Sequence, residues 1–284
     1  VDGLMSWRLE VRHATAYHYA GEVLSNYNEA RLTPVSSARQ TVLSSSLEVS
    51  PRVVPFRYVD AFGTAVHAFD LHTPHKELTV VGHSVTETRP ATAMTTRVTW
   101  DELRSPRVAD KYYDFLALTS LVDVDGVMQH PIIEAEKFDT PKQAADFIFD
   151  YVRNQLTYMP GATEVSTTAS HAFSASRGVC QDFVHVSLAL LRSVGIPSRY
   201  VSGYVHTRPD AVLGESVRGE SHAWVDAWTG DWWSYDPTGD VPVGERHVVI
   251  ATGRDYKDVA PLKGVYAGAA LDRLEVSVEL TRRA

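Results

Sequence analysis

From Trp7 to Tyr19 the chain alternates. In "WRLEVRHATAYHY" the residues Trp7, Leu9, Val11, Thr15, Tyr17 and Tyr19 fall on one face at period two, with charged residues opposite. "VLSSSLEVSP", "RYVDAFGTAVHAF" and "ELTVVGHSVTET" follow in the same style, broken by Pro, Gly and Asp. Short strands at this spacing predict a β-rich N-terminal domain over residues 1–90, with nothing in it that resembles catalytic machinery. Between Arg89 and Trp100 the alternation fades into the small, Thr-rich stretch "RPATAMTTRVTW", which places a linker at 91–100.

The pattern then changes to helical spacing. A short helix is predicted from Ala109 to Leu118. "DTPKQAADFIFDYVRNQLTY" carries a stronger signal: Thr140 and Gln143 form a T-x-x-Q capping box, Pro141 suits the first helical position, and Ala144, Phe147, Ile148 and Tyr151 form an apolar stripe. A further helix is predicted from about Gln181 to Val194. Its apolar residues cover nearly the whole circumference, so it is buried on most sides. Gly195 suits the left-handed position that ends it, and Pro197 follows. After it come "SRYVSGYVHT", "SHAWVDAW", "DWWSYDP", "RHVVIAT" and "RLEVSVEL", all strand-like. Residues 101–284 therefore predict an α+β domain, helices first and an antiparallel sheet after, closing on a C-terminal strand. No internal repeat is visible.

Composition narrows the function classes. The 284 residues are 44% hydrophobic and 22% charged, ample for a core, and the net charge is −8. A nucleic-acid partner or an anionic membrane surface needs a basic footprint that this chain lacks. No apolar run is long enough to span a bilayer, and "VDGLMSWRLEVRH" does not read as a secretory signal. A single cysteine forms no internal disulfide and fits a reducing compartment, so a cytoplasmic location is expected.

That cysteine, Cys180 in "ASRGVCQDFVHVSLALL", sits at the start of the buried helix. Unpaired N–H groups and the positive end of the helix dipole favour an anion there, and a thiolate so placed is the better nucleophile. Gly178 gives the chain freedom for a sharp entry. The competing reading is an inert buried thiol. A nucleophilic cysteine needs a base, and the base an orienting group. "SHAWVDAWTGDWWSYDPTGD" reads as a hairpin about Thr229, which sets His222 and Asp236 as opposite or diagonal neighbours. Taken singly, His222 is also a strand-end histidine and Asp236 a turn-forming aspartate. The coincidence of all three favours chemistry.

"GVCQDFVH … LLRSVGIPSRYVSGYV … SHAWVDAW … WWSYDPTGD" resembles the transglutaminase-like superfamily, with Cys, His and Asp in that chain order. The chain is most similar to a bacterial branch of transglutaminase-like enzymes and cysteine proteases that carries an N-terminal β-domain. The resemblance implies a papain/transglutaminase-like core, with the Cys-bearing helix packed on the sheet that bears His and Asp. It further implies Cys180 as nucleophile, His222 as general base and acid, and Asp236 as orienter. Two departures argue against a calcium-activated cross-linker: Gln181-Asp182 follows the cysteine where animal cross-linking enzymes have Trp, and acidic calcium loops are not recognisable.

Of the remaining residues, Tyr158 is a candidate oxyanion donor together with the Cys180 N–H, and Gln181 and Asp182 lie near the site, Asp182 as a helix-end stabiliser. His185 reads as a hydrogen-bonded core histidine, and Trp224 and Trp233 are candidate walls of a substrate cleft. Neither a metal site nor a nucleotide cofactor has a supporting motif. The tail "GRDYKDVAPLKGVYAG" is expected near the cleft. The expected activity is cysteine-dependent acyl transfer on a peptide or protein amide through a thioester, more in favour of hydrolysis than of transfer to an amine acceptor. The alternatives are a protein-glutamine transglutaminase, an acyl-CoA-type N-acyltransferase, and a catalytically idle peptide-binding module.

Overall fold

The computed structural model describes residues 6–91, 97–219, 221–239 and 241–284. Its first strand, β1 (Trp7–Thr33), runs for 27 residues. The alternating face is the one that is buried: Trp7, Leu9, Val11 and Thr15 are inside, and His13 joins them. Strands β2 (Gln40–Ser50), β3 (Phe56–Val59), β4 (Ala65–Leu71) and β5 (His75–Thr88) follow. Residues 92–96 of the expected linker lie outside the described residues, and Thr99 then caps the short helix α1 (Trp100–Leu103).

In place of one helix over Ala109–Leu118 there are two, α2 (Pro106–Lys111) and α3 (Tyr113–Leu116). The break falls at Tyr112, whose ring is buried against Trp228 at 4.8 Å between centroids. After α4 (Gln129–Ala135), helix α5 (Pro141–Gln155) starts with the expected reciprocal capping box of Thr140 and Gln143. Its fully buried stripe is Ala144, Ala145, Ile148, Phe149 and Val152, rotated slightly from the one expected, and Phe147 and Tyr151 lie at its margin. The short parallel pair β6 (Thr157–Tyr158) and β7 (Arg177–Gly178) flanks α6 (Ala169–Ala175).

Helix α7 (Cys180–Ser193) is buried continuously from Gln181 to Arg192. Gly195 ends it at φ +84°. The buried Arg192 guanidinium donates to the carbonyls of Ser198, Ala117 and Arg254, which fixes the helix C-terminus where a cation also suits the dipole. Helix α7 packs on β8 (Ser198–Val205) and β10 (His222–Trp228) of a five-stranded sheet completed by β11 (Trp232–Asp236), β12 (Val241–Pro242) and β13 (His247–Gly253), in the order β12-β11-β10-β8-β13. The molecule is thus a mixed α+β, sheet-rich fold with a β-rich N-terminal region.

The two halves of the chain share one sheet. The connection between β8 and β10 contributes β9 (Ser216–Gly219), and after α8 (Tyr256–Val259) come β14 (Leu262–Gly268) and β15 (Leu271–Arg282). All three join the N-terminal strands in an eight-stranded sheet: β14 and β15 lie in line along β1, and β9 pairs β15. Trp7, Leu9, Val11, Val278 and Leu280 belong to the same core cluster as the apolar residues of α5 and α7. The Tyr204 hydroxyl and His13 Nδ1 bond at 2.7 Å between the sheets. The Gln40 side-chain amide acts like a strand backbone, donating to Val249 O and accepting Val249 N–H at the irregularity of β13.

A buried ionic contact locks the same interface. Asp226 accepts from Arg199 at 2.8 and 3.0 Å and from Arg39 of the N-terminal region at 3.4 Å, and Ser234 also donates to it. Burial opposes its ionisation, but the two guanidinium groups outweigh this and hold the carboxyl below its usual range. Asp226→Asn should lose about 2 kcal/mol in urea unfolding at neutral pH. That is less than a fully buried pair would lose, because both arginines keep some contact with water. Since the folded pKa is depressed, the gap between wild type and variant is present above the unfolded carboxyl pKa of about 4 and closes as pH falls below it.

Candidate active site

The entrance to α7 is set by a carboxylate packed over a glycine. Asp182 Oδ2 accepts the Val179 N–H at 2.7 Å and the Thr163 hydroxyl at 2.6 Å. A Cβ on Gly178 would lie 2.5 Å from Asp182 Cβ, so no larger residue fits without a shift. Gly178 has no left-handed φ; its role is close approach, not the conformational freedom expected of it. Burial pushes the Asp182 carboxyl up despite these two hydrogen bonds. Cys180 then occupies the first helical position, where its own N–H has no carbonyl four residues back to bond.

His222 starts β10, and Asp236 ends β11. In the hairpin Val225 faces Tyr235, a register that sets Asp236 two residues along from the position opposite His222, so the pair is diagonal. His222 Nε2 and Asp236 Oδ2 are 2.7 Å apart, and Cys180 lies beside the imidazole in the same cleft. With Nε2 turned to the carboxylate, Nδ1 is the nitrogen left for the thiol. The structure therefore brings Cys180, His222 and Asp236 together, the last two in a hydrogen-bonded pair.

Asp236 forms the turn and holds the imidazole at once. Oδ1 accepts the Thr238 N–H (3.0 Å), the Thr238 hydroxyl (2.6 Å) and the Gly239 N–H (3.3 Å), while Oδ2 faces the imidazole. Burial alone would raise its pKa, but the hydrogen bonds from His222 and Thr238, with the His247 imidazole close by, reverse this and push it well down. Burial likewise opposes the charge on His222. The hydrogen bond to Asp236 and the neighbouring Cys180 side chain prevail, so its pKa is pushed up to about 10.

A cleft of about 590 Å³ opens over Cys180 and His222. Tyr158, Pro160, Gly161 and Val165 form one wall, Tyr200 and Tyr256 lie beside Cys180, and Val217, Arg218 and Gly219 of β9 close the side toward the eight-stranded sheet. Tyr158 is half exposed at the rim. Gln181 donates from its side chain to Val165 O at 3.2 Å, and Asp182 takes the Thr163 hydroxyl, so both residues fasten the 158–165 loop to the helix. His185 is the core histidine expected: fully buried, its Nε2 accepting the Tyr256 N–H, its pKa pushed down by burial to about 3.

Neither tryptophan expected in the cleft lines it. Trp224 is fully buried behind His222, edge-on to His247 at 5.2 Å between centroids, where a Cβ on Gly203 would meet its ring at 2.6 Å. Trp233 packs on Phe149 under the Lys142 ammonium, 3.6 Å from its ring centroid. Of the tail, only Tyr256 reaches the cleft, while 262–268 forms β14. Sequence reasoning missed Tyr200, Thr163, His247 and β9. His247 Nε2 lies 3.8 Å from Asp236 Oδ2 while its Nδ1 accepts the Gly244 N–H. Among the described residues no three His, Cys, Asp or Glu side chains group to hold a metal ion.

Comparison with known proteins agrees with this geometry. Residues 132–237 match the transglutaminase-like superfamily model, and residues 9–87 match the bacterial transglutaminase-like N-terminal region. The chain belongs to the transglutaminase-like superfamily. It is 46% identical to the uncharacterized protein ML0607 of Mycobacterium leprae, over 98% of this chain and 100% of that one. The uncharacterized protein Rv2569c of Mycobacterium tuberculosis is 29% identical over 96% of this chain and 92% of its own length. Among solved structures, the one described as "a Putative Cysteine Protease from Cytophaga hutchinsonii" superposes with a TM-score of 0.77 at 20% identity, covering 98% of both chains, which shows the shared transglutaminase-like fold.

Two outcomes test the site's construction. Gly178→Ala should lower stability by about 2 kcal/mol, read by urea unfolding, because the added methyl meets the Asp182 side chain. Ring-nitrogen NMR should find His222 protonated across pH 5 to 8, with a midpoint near 10. Because its folded pKa is raised, the stability from this group is fully present below about pH 6.5 and is lost as pH climbs toward 10. A ring that titrates near 6.5 would contradict the pairing with Asp236.

Proposed function

We propose that the protein is a cysteine-dependent acyl-transfer enzyme acting on peptide or glutamine-type amides. The observation that carries this reading is Cys180 at a cleft beside a His222 that is itself hydrogen-bonded to the buried Asp236. Cys180 Sγ, its proton held by His222, attacks the amide carbonyl carbon and forms a C–S bond. The resulting oxyanion sits near the first-turn N–H of Cys180, with Tyr158 the candidate second donor across the rim. His222 returns the proton to the leaving nitrogen as the C–N bond breaks, and a thioester remains. Asp236 fixes the ring orientation and stabilises the imidazolium without taking the proton.

Water or an amine resolves the thioester, and the same three residues serve both. Hydrolysis is the favoured branch, since transfer requires a second, shielded amine site, and the residues after Cys180 fasten a loop and do not build one. Unfolded β-casein incubated with dansylcadaverine separates the branches. New peptides or released ammonia without dansyl label are expected, and label incorporation would reverse the preference. Cys180→Ala should abolish either product, and Asp236→Asn should lower kcat by about a thousandfold or more while the fold is retained by circular dichroism.

A further inference from the structure

Strand β15 is only partly covered on its outer edge. One edge pairs β1 from Leu271 to Arg282, and between Arg273 and Arg282 that pairing has no bulge. On the other edge β9 covers Val278 to Thr281 alone, with Gly219 opposite Val278. Among the described residues no strand pairs the outer edge of Leu271–Ser277. In an antiparallel ladder every second residue there turns its N–H and C=O outward. Proteins usually blunt such an edge with charged side chains, lysine above all, with proline or with a bulge. This stretch has neither Lys nor Pro; its charges are Asp272, Arg273 and Glu275, its one irregularity lies at the Leu271 end, and Leu271, Leu274 and Val276 are 41 to 48% exposed.

The uncovered edge leads to the active-site cleft. A cavity of about 470 Å³ lies where β9 stops, bounded by Gly219, Val276 and Ser277. Arg218 and Gly219 line both this cavity and the cleft that holds Cys180. Successive strand residues point to opposite faces, so Val217, Arg218 and Gly219 can all border the cleft only if it meets the strand at its edge. A Cβ at Gly219 would meet nothing within 4 Å, so the junction is open.

We infer that the Leu271–Ser277 edge is a docking site for an extended segment of the polypeptide substrate, which adds a strand in the row of β9 and enters the cleft at Gly219. The inference rests on the acyl-transfer reading above. Every pairing in this sheet is antiparallel. A segment that follows suit runs from Gly219 toward Leu271, so the residues in the slot lie on the carboxyl side of the amide that reaches Cys180. Backbone pairing supplies the affinity and tolerates varied sequence, while Leu274 and Val276 favour apolar side chains at alternate positions.

Hydrogen exchange on the Cys180→Ala protein with and without unfolded β-casein tests this. Casein should slow exchange of outward amides in 271–277 at least tenfold, and fluorescein-labelled casein should bind the Leu274→Lys/Val276→Lys variant of that protein at least tenfold more weakly. Unchanged exchange or unchanged binding would overturn the docking site. So would light scattering that finds a dimer whose 271–277 amides are already protected and which the double substitution dissociates, since a second copy would then hold the edge. Iodoacetamide alkylation in the Cys180-containing protein separates the two levels. Slow, His222-independent alkylation defeats the acyl-transfer reading, whereas rapid alkylation with no protection at 271–277 defeats only the docking site.

Discussion

The site depends on one buried carboxylate. Asp236 is almost wholly removed from water, a position that costs an ionised group several kcal/mol unless its lone pairs are satisfied. Three donors from the turn that follows it take Oδ1, and an imidazole takes Oδ2. Those turn bonds are what let the charge persist inside the protein, and the charge in turn keeps His222 a cation against its own burial. Without the anion, burial alone would leave His222 neutral, and the thiol at the start of α7 would lose its charged partner.

The rest of the fold keeps that carboxylate, the ring and the thiol in register. Cys180 is fixed from the helix side, where Asp182 closes over Gly178 and Arg192 anchors the far end in carbonyls. His222 and Asp236 are fixed from the sheet side by a short hairpin whose outer face meets the N-terminal region through Asp226 and Arg39. The β-rich region is therefore no appendage. It shares its core with α7, and the sheet it builds holds β9, which closes one side of the cleft. A change in that sheet can reach Cys180 without touching His222 or Asp236.

Much of this was legible in the sequence because the signals were local. The period-two run from Trp7 to Tyr19, the capping box at Thr140, the left-handed glycine at 195 and the hairpin around Thr229 each follow from short-range geometry, and each stands where the sequence puts it. The His222–Asp236 contact was legible for the same reason, since a hairpin converts spacing into proximity. What stayed hidden was long-range. Nothing in "ESVRGE" says that β9 leaves its own sheet to pair with a strand sixty residues on, and nothing in "LKGVYAG" announces β14. The tryptophans misled because aromatic crowding on a hairpin does not tell which face is covered, and the face bearing Trp224 is packed on His247 and Val201. His247 could be seen only once the sheet order set it behind Asp236.

The central claim is that Cys180 and His222 act as a pair. Its most direct test is the rate of Cys180 alkylation by iodoacetamide against pH, in the wild type and in His222→Ala. The account requires rapid alkylation that extends well below pH 8 in the wild type and is lost in the variant. Slow alkylation in both proteins, rising only as an ordinary thiol would near pH 8.5, would contradict it and leave a fold with a cleft but no activated nucleophile.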